Sequence, residues 1–600
     1  MEHPVNIYMT AGSLITSLGF GLEENMKNIR SSRSGIVRLD DRALFEEPFP
    51  AARIDAARLA QQAEEAGLSG YARMEQLFLL CLNETILKSG VDPASPQCGL
   101  ILSTTKGNIE YLRKDPASLA DAGLYEMGRK IASRLRCVNE PVIVSNACIS
   151  GVSALIVASR LIEAGIYKHV LVAGGDMLTR FVVTGFQSFK SVSPTACRPY
   201  DRERDGLSLG EACGSILVTV DNRQVREKQP VVIAGGAITN DANHISGPSR
   251  TGDGLYYAVS QAMEEAGITP HEVSFVNAHG TATLYNDEME SKAFHRAHLD
   301  TVPLNSLKPY WGHTLGASGI IESIVCLEQL RCGEVWGTKG YETCGVPYPL
   351  SIHSETVTVP MRACVKTASG FGGCNAAIVL ALAKKQTDGA REKEIKKEAE
   401  SVAEPVSTEK GKEYITRRVK IRENRILLNE RVFFEGNPAD DFPSFIRNAY
   451  KSLDLDDRKF YKMDDLCKLG YIAAGCLFSE NGGTTGYGPG EVGIVLSNAS
   501  SSLDTDSKHQ RIIETAGDRE ASPAVFVYTL PNVVMGEICI RYKIQGENTF
   551  FISPQYPIAF IRRYAEIVME KQKLKACLTG WCEYLDGQYE ACFEWLEQIN

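Results

Sequence analysis

Five uninterrupted apolar runs limit what this chain can fold into: CGLILS (98–103), PVIVS (141–145), HVLVAGG (169–175), GSILVTV (214–220) and AAIVLALA (376–383). Each has the length of a strand. The segments between them carry helical spacing, as in Leu77, Leu80 and Cys81 or Val152, Leu155, Ile156 and Ile162. Strands that are apolar on both faces need cover on both, so the predicted class is α/β, with helices packed on each side of the sheets.

With 600 residues the chain exceeds one core, and three or four lobes are expected. From Lys384 to Glu413 the composition changes to eight basic and eight acidic residues with no aromatic side chain and no leucine. Such a stretch cannot bury enough apolar surface to fold alone, so 384–413 is read as a charged linker, partly helical at EKEIKKEAE. It separates a long first module, 1–383, from a shorter second one, 414–600. The second repeats part of the first: EVGIVLS (491–497) resembles QCGLILS (97–103), and the strand-like NTFFIS (548–553) precedes a helical pattern. An internal duplication explains this order.

Several function classes are disfavoured. A net charge of −10 argues against a protein that works by neutralising nucleic-acid phosphates. Seventeen cysteines, an odd number without CxxC pairs or metal-ligand spacing, indicate neither a disulfide framework nor a metal site, and suggest a reducing cytoplasm. The opening MEHPVNIYMT lacks the pattern of a secretory signal. The uncharged window 141–159 holds Ser145, Asn146, Ser150, Ser153 and Ser159, too many polar groups for a lipid-facing helix, so no membrane span is expected.

Chemistry concentrates at Cys148, in VIVSNACISGVSA (142–154). A strand ends just before it and a helix pattern begins just after, a placement expected to favour a thiolate at the positive helix end. Two histidines follow in glycine-rich turns: His279 in NAHGTATLYND, with Thr281 and Thr283, and His313 in LKPYWGHTLGASG, with Lys308 before it and Glu322 beyond. A third segment, SGFGGCNAA (369–377), lets backbone approach a ligand closely.

Taken with IYMTAGSLITSLG (7–19) and RPYDRERDGLSLGEACG (198–214), these segments resemble, in order, the elongating β-ketoacyl-acyl-carrier-protein synthases. The resemblance implies a duplicated thiolase-like fold layered α-β-α-β-α, with an N-terminal half at 1–240 and a C-terminal half at 241–383. It implies decarboxylative Claisen condensation of a malonyl unit onto an acyl-cysteine, in fatty acid or polyketide synthesis. Cys148, His279 and His313 match the family's Cys-His-His set; Lys308 and Glu322 match its supporting charges, and Phe371 its gating aromatic. Thr281, Thr283 and Gly372 correspond to substrate-binding positions, and the amides of Cys148 and Phe371 to the oxyanion hole. Lys308 is expected to tune the histidines rather than form a Schiff base. No cofactor of the chain's own is implied, since phosphopantetheine travels on the partner, an acyl carrier protein.

Laid over 143–178 without gaps, 550–585 places Gln555 at the position of Cys148. After Gly411 there is one histidine, His509, in a context that reads as a polar loop. The 414–600 module thus resembles the N-terminal half of a ketosynthase without its nucleophile, akin to a chain-length factor. It is expected to dock on a condensing module, giving a homodimer or a pseudo-heterodimer. The alternative for this module is a decayed duplication; for the whole chain the alternatives are a specialised pigment or polyene synthase and a non-catalytic partner or scaffold subunit of a type II polyketide or aryl-polyene synthase complex.

Overall fold

The structure is a computed structural model that describes residues 5–113, 119–383, 414–479 and 483–599. The expected linker, 384–413, lies outside the described residues. Among those described, no helix is long and apolar enough to cross a membrane.

The first sheet is built from β1 (Tyr8–Thr16), β2 (Cys98–Ser103), β3 (Val142–Val144), β4 (His169–Asp176) and β5 (Ala212–Thr219). Their spatial order is β1-β5-β4-β2-β3. A second sheet uses β6 (Val231–Asn240), β7 (Val273–Asn277), β8 (Leu304–Asn305), β9 (Ala363–Gly370) and β10 (Cys374–Leu382) in the matching order β6-β10-β9-β7-β8. The division between halves therefore falls between Thr219 and Val231. The expected boundary at 240/241 lies ten residues too late, because β6 pairs along its length with β10 and belongs to the second sheet.

Two helices, α1 (Ser150–Glu163) and α2 (Ser318–Cys332), lie between the sheets, while Arg73–Ser89 and Asp253–Ala266 cover the outer faces. This is the α-β-α-β-α layering of a thiolase-like fold. Every residue of α1 from Ser150 to Ile162 is buried, which explains the uncharged window: the helix has no solvent face at all. The helices cross where Gly151 meets Gly319. A Cβ on Gly319 would sit 2.2 Å from the amide nitrogen of Val152, so any side chain there would push the layers apart.

The same order occurs a third time in the second module. Its strands are β11 (Tyr414–Arg422), β12 (Val492–Asn498), β13 (Asn548–Ile552), β14 (Ala576–Leu585) and β15 (Gln588–Gln598), arranged β11-β15-β14-β12-β13. Helix α3 (Ile558–Lys571) stands where α1 stands in the first module. Unlike α1, it presents Arg562, Arg563 and Glu566 on a solvent-facing side.

The two modules join edge to edge. β13 pairs antiparallel with β3, Phe551 opposite Val144 and Ile552 opposite Ile143, so one sheet runs through both. Charges are buried along this seam: Arg160 Nη1 lies 3.0 Å from Glu547 Oε1, and Lys106 Nζ 2.8 Å from Asp506 Oδ1. Pairs of this kind add little net stability, but separating them strands a charge at a cost of about 3–5 kcal/mol. They therefore fix where the modules meet.

Candidate active site

Cys148 sits on the turn from β3 into α1. Ser150 shapes that turn: its hydroxyl donates to the Ala147 carbonyl at 2.6 Å and accepts from the Asn146 amide at 2.8 Å. Ala147 adopts a left-handed φ of 47°, a strained conformation for a residue with a side chain, held directly before the sulfur.

His279 follows the end of β7. Glu290 holds its turn, accepting from the amides of His279 and Gly280, each at 2.8 Å, and from the Tyr200 hydroxyl at 2.8 Å. The RPYD segment thus braces the histidine turn. His313 is fixed by the strand-like segment before β5: its amide donates to the Ser208 carbonyl at 2.7 Å and its carbonyl accepts from the Gly210 amide.

These three side chains converge. His313 Nε2 lies 3.2 Å from Cys148 Sγ, and the two imidazoles face each other edge to face with centroids 5.2 Å apart. Lys308 Nζ approaches His279 Nδ1 at 3.4 Å and bonds Glu322 Oε1 at 3.0 Å. Lys366, which sequence reasoning did not single out, reaches the other oxygen of Glu322 at 2.6 Å. A lysine inside the apolar strand ACVKTASG was the signal for it.

An ammonium has only donors, so the Lys308 contact requires a lone pair on His279 Nδ1 and places that ring's proton on Nε2. His313 has the opposite arrangement. Its Nδ1 faces the Ser318 hydroxyl at 3.2 Å, a group able to accept a proton there, and with the proton on Nδ1 the Nε2 lone pair is free to receive the cysteine thiol. Burial, with Lys308 adding to it, holds both histidines well below the ordinary range and keeps them neutral. Lys308 is fully buried and committed to Glu322 and His279, a poor position for a Schiff base.

The thiolate expectation is not met at rest. Burial pushes the Cys148 thiol up to about 12, and the attraction of Lys308 offsets only part of that. Loss of solvent favours the thiol at rest, so its proton must pass to a base.

Phe371 stacks on Phe186 with centroids 6.1 Å apart and lies 5.4 Å from Phe189, while Phe186 packs edge-on to His313 at 6.4 Å. The amide nitrogen of Cys148 lies 3.0 Å from where a side chain on Gly370 would sit, so the Phe371 loop runs past it. Thr281 and Thr283 share a hydrogen bond of 2.9 Å beside the His279 turn. Gly372 does not join the substrate-binding group. Its amide donates to Ile245, its carbonyl accepts from Asn240, and its Cα faces the second module.

In the second module Gln555 is exposed. His509, expected in a polar loop, instead lies on the helix Leu503–Ala516. It is fully buried, 4.6 Å from the Phe181 ring and 5.2 Å from the Phe526 ring. Lys508 and Arg511 beside it are exposed, whereas Asp506, one turn earlier, is buried with it at the seam.

Comparison with known proteins agrees with this architecture. The profile of the β-ketoacyl synthase N-terminal domain matches residues 5–223 and that of the C-terminal domain residues 231–342. A putative mitochondrial 3-oxoacyl-[acyl-carrier-protein] synthase of Schizosaccharomyces pombe is 26% identical over 424 residues, covering 62% of this chain and 98% of that protein. An oxytetracycline polyketide putative β-ketoacyl synthase of Streptomyces rimosus is 30% identical over 55% of this chain and 86% of its own length. Among solved structures, a ketosynthase in complex with its chain length factor from Xenorhabdus doucetiae superposes with a TM-score of 0.54 at 26% identity, covering 64% of this chain and 100% of that one. The PfaC keto synthase-chain length factor shares the fold over 100% of this chain and 79% of its own, with a TM-score of 0.72 at 15% identity. Two domain profiles in sequence and one buried Cys-His-His cluster lead to the same conclusion: this chain belongs to the β-ketoacyl synthase family of acyltransferases.

Proposed function

We propose that the chain joins a malonyl unit on an acyl carrier protein to an acyl group held on Cys148. The observation that carries this reading is the 3.2 Å contact between Cys148 Sγ and His313 Nε2, with His279 across the same pocket. In the first step the sulfur attacks the acyl thioester; the S–C bond to the acyl carbon forms, and the bond to the pantetheine sulfur breaks. The thiol proton passes to His313 Nε2 and then to the departing pantetheine sulfur. The amides of Cys148 and Phe371 are the donors for the transient oxyanion.

In the second step the malonyl carboxylate leaves as carbon dioxide, and its bonding electrons move onto the thioester enolate. His279, with its proton on Nε2, donates to the enolate oxygen. The enolate carbon then attacks the acyl carbonyl, and Cys148 leaves as the new carbon–carbon bond forms. Phosphopantetheine enters on the carrier, along Thr281 and Thr283.

In this reading the second module is a catalytically inert partner joined to the condensing module in the same chain. It lacks a nucleophile at Gln555, and it contributes Phe526 to the aromatic group around Phe181, Phe186 and Phe189. A Cβ on Gly185, in the helix Arg180–Ser188, would lie 2.2 Å from the Phe526 ring, so Phe526 fills the space beside that helix, and in this reading it walls the acyl chain. The test is to incubate the purified chain with acyl- and malonyl-carriers. Release of carbon dioxide with acylation at Cys148 is expected; absence of both defeats the reading.

A further inference from the structure

The loop Gly370-Phe371-Gly372-Gly373 is held by backbone carbonyls, and the groups that hold them come from two different modules. Asn240 Nδ2 donates to the Gly372 carbonyl at 2.9 Å and the Asp241 amide to the Gly373 carbonyl at 2.7 Å, both from the first module. The Phe371 carbonyl accepts from Asn532 Nδ2 at 2.8 Å across the seam, and from the Cys374 thiol of its own module at 3.3 Å. Asn532 is 2% exposed, and its Oδ1 is buried without a partner. Asn532 stands at the N-cap of the helix Val533–Tyr542, and one turn on Gly536 lies so close that a Cβ on it would meet the Gly372 carbonyl oxygen at 2.8 Å. The second module therefore presses on the loop at two points, and of these Asn532 is the one bonded to Phe371 itself.

The loop is suited to movement. Gly372 and Gly373 adopt φ of 88° and 72°, and glycine exchanges between backbone regions at little cost. Phe371 is half-buried, and its ring is held by stacking on Phe186 and Phe189 rather than by a polar bond. A backbone movement of the loop that swings the ring aside carries the Phe371 carbonyl away from Asn532.

Building on the ketosynthase reading above, we propose that Asn532 is a positioning residue: it latches the Phe371 loop closed over Cys148, so the second module sets how readily the acyl pocket opens. The polar atom left unpaired on Asn532 is consistent with a side chain retained for its donor rather than for full satisfaction of its own groups. The latch acts through the loop and touches no reacting atom.

The test uses the full chain, as wild type, Asn532→Ala and Asn532→Asp. The aspartate keeps the shape and replaces the donor with an oxygen facing the carbonyl, so it serves if the alanine variant folds poorly. The rate at which iodoacetamide alkylates Cys148, followed by intact mass, reads access to the sulfur without requiring turnover. Losing one hydrogen bond should raise it about fivefold. In single turnovers, acylation by a long acyl-carrier should hold or rise, while condensation from the preformed acyl-enzyme falls. Arg519→Ala, which breaks exposed seam contacts to Glu46 and Glu47, should change none of these rates. An unchanged alkylation rate in Asn532→Asp, or an equal rise in Arg519→Ala, overturns the latch. A wild type that alkylates normally but releases no carbon dioxide overturns the ketosynthase reading instead, leaving the alkylation comparison to decide the latch.

Discussion

His313 Nε2 and Cys148 Sγ are 165 residues apart in sequence and 3.2 Å apart in space. A donor-only ammonium faces Nδ1 of His279 whereas a hydroxyl faces Nδ1 of His313, and the two histidines are assigned different roles on that ground. His313→Ala should slow acylation of Cys148 more than decarboxylation, and His279→Ala the reverse, each by about 10²–10⁴-fold on the affected step. Single-turnover acylation and carbon dioxide release, measured separately, check this. Equal losses on both steps for both variants would contradict the assignment.

Glu322 is shared by two buried ammonium groups, Lys308 and Lys366. Replacing it with glutamine leaves both cations without a counter-charge. Glu322→Gln should destabilise the chain by about 3–5 kcal/mol, read as a lowered thermal midpoint. Activity should fall as well, because Lys308 loses its anchor beside His279.

Burial and the nearby Lys106 hold His509 down to about 4, against a partial gain from the Phe181 carbonyl. A neutral ring in the folded state and a titrating one when unfolded means the unfolded chain takes up the proton first as pH falls. The stability contribution is therefore present above about pH 6.5 and lost toward pH 4. It amounts to about 3 kcal/mol. His509→Gln should flatten that part of the pH profile of thermal stability; an identical acid slope in the variant would exclude His509 as its source.

Phe526 comes from the second module but packs among Phe181, Phe186 and Phe189 of the first. Phe526→Ala should shift products toward longer acyl chains, with Phe526→Leu intermediate. The alanine variant should also lose about 3–5 kcal/mol of stability. Mass spectrometry of carrier-bound products checks the length, and an unchanged distribution argues against Phe526 as a pocket wall.

Much of this protein was legible in its sequence. The apolar runs marked the buried strands, and short glycine-rich segments at strand ends marked Cys148, His279 and His313, because a side chain poised at such an end needs a local turn of specific residues. The ungapped register that put Gln555 opposite Cys148 also aligned β14 with β4 and α3 with α1. These features depend on neighbours a few residues away, which spacing records.

What depended on distant neighbours was decided by the tertiary structure. The protonation of Cys148 follows from how completely the sheets and α2 exclude water, and no local pattern carries that sum. Lys366 meets Glu322 only after β9 and α2 pack, Glu290 holds the His279 turn only once its helix lies against it, and His509 is buried by a module more than 300 residues upstream. Asn532 lies in PNVVMGE, unremarkable as a string; its bond to Phe371 exists because β13 pairs with β3 and sets the second module against the Phe371 loop. Short-range order is written in residue spacing, whereas burial, charge partnership and contacts between modules arise only when separate segments compete for the same space.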